Sequence, residues 1–165
     1  MRASTKKITL LGLLTAVALI LGWFESMLPS LAVPGIKLGI SNIVLLYAIY
    51  MMRPREAFVL MLLKVFLSGF LFGGVTAILY SLAGGLFSLT VMLLVKKCSS
   101  LSCVGVSVCG AVFHNIGQLL AAALVVESRA VFSYAPVLLV SAVVTGVLTG
   151  IAANLTLKAL RSRNP

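Results

Sequence analysis

The sequence contains no aspartate, three glutamates and one histidine in 165 residues. With so few acidic and imidazole groups, no metal-ligand cluster can be assembled: His114 has no second histidine and no acid within a hydrophobic run to join it. No Gly-rich loop carries a Lys and a Ser or Thr for nucleotide phosphates, so work driven by ATP would need another chain. The three cysteines, Cys98, Cys103 and Cys109, form no CxxC pair and read as small, reduced, apolar-tolerant residues. Charged residues are scarce at 10%, against roughly 25% in soluble domains. There is no internal repeat, linker or low-complexity tract.

What is present in excess is apolar surface. Hydrophobic residues make up 61% of the chain, and the mean hydropathy is +1.19. A soluble fold of this size cannot hide that much, so the chain reads as an all-α integral membrane protein in a single domain over 1–165. Six runs approach the length of about 20 residues that a bilayer requires: 8–24, 38–52, 57–72, 75–95, 103–126 and 136–157. The second and third are short. The first follows Arg2, Lys6 and Lys7 but lacks a small-residue cleavage site, and it reads as a retained span rather than a signal peptide.

The net charge of +10 does not point to nucleic acid, because the basic residues sit at the ends of hydrophobic runs. With six spans, ten of the 13 basic residues fall on one side: Arg2, Lys6, Lys7, Arg53, Arg55, Lys96, Lys97, Lys158, Arg161 and Arg163. Lys37 and Arg129 fall on the other, and Lys64 lies inside the third run. Basic residues favour the cytoplasmic face, so both termini are expected inside.

Polar residues within the runs are the candidate functional groups. An ionisable residue at mid-membrane costs about 2.5–3.5 kcal/mol on insertion scales and faces a cavity or a partner. Lys64 lies about 10 Å into its span, counted from Ala57 at 1.5 Å per residue. Two roles are open to it: a positive group in a cavity, or a long stem reaching headgroups or helix carbonyls. In "AVFHNIGQLL", His114 and Gln118 share a helix face and Asn115 lies at its edge. They can line a ligand site or bond neighbouring helices. The segment "ESMLPSLAVPGIKLGISN" is the longest connection. Pro29, Pro34 and Gly35 break helix there, and Lys37, Ser41 and Asn42 lead into the second span. It is either a cap over a cavity or a plain connector. The glutamates Glu25, Glu56 and Glu127 sit at span ends, so no acid is expected deep in the membrane and the ligand is expected to be anionic or rich in acceptors. Small residues four apart, Gly12–Ala16, Ala18–Gly22, Gly69–Gly73 and Gly146–Gly150, allow close helix approach.

Three segments together, "VPGIKLGISNIVLLYAIYMM", "ILYSLAGGLFSLTVMLLVKK" and "GVSVCGAVFHNIGQLLAAAL", resemble a bacterial membrane family called Gx transporter or heptaprenyl diphosphate synthase component I. The resemblance runs from about Lys7 to Leu155. That family looks like the substrate-binding S components of energy-coupling factor (ECF) transporters. The resemblance implies a six-helix bundle in the bacterial plasma membrane that captures a small micronutrient or isoprenoid- or quinone-related precursor. It implies no enzymatic activity and no cofactor in this chain, with ATP used by two partner ATPase subunits through a transmembrane coupling subunit. It implies substrate contacts from Lys37, Asn42, His114, Asn115 and Gln118, to which Lys64 is added by its place inside a span, and docking on the coupling subunit through Gly12 and Ala16. Gly12 stands where S components typically carry alanine, which weakens that motif.

The synthase name implies a different role. Prenyl diphosphate synthases hold Mg²⁺ on Asp-rich motifs, and this chain has none, so it would serve as a non-catalytic membrane accessory subunit. An independent proton-coupled carrier would carry intramembrane acids, and a channel would carry a ring of polar residues; neither pattern is visible.

Overall fold

The computed structural model describes residues 3–27, 39–97 and 101–163, which are helices and short connections. The helices are α1 (Ala3–Met27), α2 (Asn42–Met51), α3 (Pro54–Ser68), α4 (Gly74–Val95), α5 (Cys103–Val126) and α6 (Ala135–Arg163). A π-helical turn, Gly69–Gly73, follows α3, and a 3-10 turn, Arg129–Tyr134, precedes α6. Four stretches are long and apolar enough to cross a membrane: Thr5–Met27, Pro54–Val95, Cys103–Val126 and Arg129–Ala159. Large apolar side chains cover the outside, among them Phe70 and Leu124, each 80% exposed. That surface is stable only against lipid.

The 42-residue stretch from Pro54 to Val95 doubles back on itself. Gly85 of α4 lies against Met61 and Val65 of α3, and Gly69 lies against Ile78. These pairings run in opposite senses along the chain, so α3 and α4 are antiparallel. The reversal sits at Gly74, with φ 74° and ψ −179°. That region of backbone space is open essentially to glycine alone. α4 and α5 are also antiparallel, with Gly84 against His114 and Gly110 against Met92. So are α5 and α6, where Gly146 meets Val108 and Gly150 meets Val104 at backbone range. The Gly146–Gly150 spacing therefore serves packing inside this chain.

The main correction concerns the second run. It was expected from residue 38 to 52, but α2 begins at Asn42 and has ten residues, about 15 Å at helical rise. That is about half of a 30 Å hydrocarbon core. α2 is also the most enclosed helix, with Val44, Leu45, Leu46, Ala48 and Ile49 all buried. The expected third run is broken near its end by the π turn, and α1 and α6 extend past the expected limits at both ends.

One end of the bundle is tied by basic residues. Lys7 Nζ bonds Glu56 Oε1 at 2.9 Å, joining the starts of α1 and α3. Lys96 Nζ donates to the Ile49 carbonyl at 2.6 Å and lies 4.9 Å from the Tyr50 ring centre, capping α2. The main apolar core surrounds α2 near this end. A smaller one, Tyr80, Leu119, Ala122, Val131 and Leu138, lies at the opposite end.

Candidate functional site

Between these two cores lies a layer of buried polar side chains. Lys64 is ten residues into α3 and His114 eleven into α5, each about 15 Å along its helix and so near half depth. The layer surrounds a small cavity lined by Glu25 of α1, Gly39, Ser41 and Asn42 at the start of α2, Lys64 and Ser68 of α3, Ser81 of α4 and His114 of α5. Ala18, Gly22, Met61, Val65 and Gly85 complete the wall. The volume is about 20 Å³. That suffices for one water, since a water needs about 10–15 Å³ measured this way.

The shortness of α2 creates the site. Because the helix starts at half depth, its first turn faces the interior rather than the membrane surface. Gly39, at φ 86°, turns the chain into it. The Asn42 amide N–H then donates to the Gly39 carbonyl at 2.9 Å. Lys64 Nζ donates to Asn42 Oδ1 at 2.6 Å. This answers the depth question for Lys64, whose ammonium turns inward to another helix.

Glu25 is the residue that sequence reasoning missed. It was expected at a span end, outside the membrane's polar centre. It does stand in the last turn of α1, two residues before Met27, but it is 5% exposed, with its carboxylate turned toward the start of α2. The Gly39 amide N–H donates to Oε1, and the Ser41 hydroxyl donates to Oε2 at 3.4 Å. An acid therefore does sit within the polar layer, and the inference of an anionic ligand from the lack of one loses its premise. Ser68 and Ser81 are further lining residues that hydropathy could not single out. The only available signal for Glu25 was its rarity, as one acid of three in the chain.

The expected site residues divide. Asn42, Lys64 and His114 meet at the cavity. Lys37 and most of the expected cap from Glu25 to Lys37 lie outside the described residues, which omit 28–38. Asn115 turns away, its Nδ2 donating to the Leu138 carbonyl of α6 at 2.8 Å. Gln118 packs against Gly84 of α4 beside His114, fully buried, and neither end of its amide finds a partner among the described residues. Such an amide costs about 1–3 kcal/mol for each unsatisfied group. Gly12 and Ala16 are exposed on α1, and a side chain added at Gly12 would meet nothing within 4 Å.

Chemically, the cavity offers a carboxylate, an ammonium, an imidazole, an amide and three hydroxyls. It can hold a small polar group through donors and acceptors at once. Among the described residues no three His, Cys, Asp or Glu side chains come together as a metal site.

Searches of curated proteins and of solved structures returned no match. The family model described as heptaprenyl diphosphate synthase component I matches residues 14–156, which contain all of the described cavity residues. By that match over most of its length, the chain belongs to the heptaprenyl diphosphate synthase component I family.

Proposed function

We propose that this chain is the substrate-binding membrane subunit of an ATP-driven importer and has no catalytic centre of its own. The observation that carries the reading is the polar cavity at half depth, where five helices converge on buried Glu25, Asn42 and His114 and half-buried Lys64. Buried ionisable groups in a membrane are costly and mark ligand or transport pathways. In this reading the chain crosses the membrane six times, with α2 completing the second crossing and α3 with its π turn the third. Both termini are then cytoplasmic, on the side where Lys7, Lys96 and the basic tail gather. The exposed Gly12–Ala16 face of α1 serves to dock a transmembrane coupling subunit, and two ATPases on other chains supply the energy.

A second reading has its own support in the family description. The chain would then be a non-catalytic membrane partner in heptaprenyl diphosphate synthesis. The lack of aspartate requires the Mg²⁺-binding centre to come from another subunit. Affinity purification of the tagged chain from its native membranes in mild detergent separates the two. The importer reading expects a membrane coupling subunit and two ATPases, lost when Gly12 or Ala16 is changed to Leu. Recovery of a soluble, Asp-rich synthase subunit in their place selects the second reading.

A further inference from the structure

The start of α2 has the makings of an anion site, and it is already filled from within. Its donors are the Gly39 amide N–H and the Ser41 hydroxyl, both on the Glu25 carboxylate. Asn42 adds a third donor: its Nδ2 is buried and has no partner among the described residues, while its Oδ1 is held by Lys64. Asn42 is only 8% exposed and lines the cavity. The positive end of the α2 dipole points the same way, which favours negative charge at this spot. The remaining volume of about 20 Å³ admits a water and no organic molecule. The donors at the start of α2 are occupied by the chain's own carboxylate.

We propose that Glu25 is an internal stand-in for the carboxylate of the ligand. The cavity takes a small carboxylate-bearing molecule, which displaces Glu25 from Gly39 and Ser41 as the space opens and takes the Asn42 Nδ2 as a third donor. This rests on the reading of the cavity as a ligand site. Glu25 keeps the empty site satisfied, because otherwise the Gly39 amide and the Ser41 hydroxyl would lose their acceptor. It also sets selectivity: an ammonium of equal size offers no acceptor for the bonds that Glu25 gives up.

The test is chemical rescue with acetate. Glu25→Ala removes the carboxylate and leaves room of about its size. In detergent, tens of millimolar acetate should raise the melting temperature of Glu25→Ala by about 3 °C or more, with saturation. Methylammonium at equal ionic strength should not, and acetate should leave the wild type and the isosteric Glu25→Gln unmoved. If Glu25→Ala does not fold alone, the yield of monodisperse protein solubilised with and without acetate gives the same reading. Equal effects of acetate on wild type and Glu25→Ala, or none on either, would overturn the proposal. Rescue requires neither transport nor partner subunits, so a negative result here is distinct from failure of the importer reading.

Discussion

Lys64 and Asn42 come from different helices, 22 residues apart in sequence, and share a 2.6 Å bond between a buried amide and an ammonium. A hydrogen bond to a charged group contributes about 1.5–3 kcal/mol, so its loss should be large where it also orients a ligand. Lys64→Met is expected to lower ligand affinity about tenfold to a hundredfold with the helical circular dichroism unchanged. Titration of the co-purifying compound onto stripped protein measures this, and unchanged affinity would remove Lys64 from the site. The sequence marked Lys64 and His114 because ionisable residues stand out in an apolar run. It did not mark Glu25, because a carboxylate near the end of a hydrophobic stretch looks solvated until the fold turns it inward. Asn115 and Gln118 looked equivalent to His114 by spacing. Only the packing of α4 and α6 around α5 assigns Asn115 to the Leu138 carbonyl and leaves His114 on the cavity.

At the scale of elements, α2 is the unusual part. A helix that begins at half depth leaves its first N–H groups inside the membrane, where each needs an acceptor. The Gly39 and Ile40 carbonyls accept from the Asn42 and Ile43 N–H groups, and the Glu25 carboxylate accepts from the N–H of Gly39 itself. Gly39→Ala would force a side chain into left-handed backbone and to within 3.0 Å of Asn42 Nδ2. It is expected to destabilise by about 1–3 kcal/mol and to loosen the cavity, read as a lower melting temperature together with weaker ligand binding. Gly74→Ala meets no steric obstacle but the same backbone penalty. It should cost a similar 1–3 kcal/mol while leaving ligand affinity intact, since Gly74 is remote from the cavity. Comparing the two variants separates strain at the site from strain at a turn. Helix content and the limits of α5 were legible in the sequence, because the apolar run from Cys103 to Val126 ends at the polar Glu127 and Ser128. The length of α2 was not legible. The residues before it are apolar enough to extend the run, and hydropathy has no term for a helix that starts on an internal acceptor.

At the scale of the whole molecule, the membrane environment was readable from composition alone, and the apolar exterior agrees with it. Six crossings were expected from the hydrophobic runs and the placement of basic residues; the structure shows four stretches long and apolar enough to cross, one of which is divided into the antiparallel α3 and α4. The central claim is that the half-depth cavity binds a small molecule delivered from outside. Native mass spectrometry of the chain, purified gently from its native membranes, tests it most directly. About one small molecule per wild-type chain is expected, absent from His114→Ala and Lys64→Met protein that remains folded. A chain that carries no small molecule, and brings instead a soluble synthase subunit or a polyprenyl diphosphate, would contradict it.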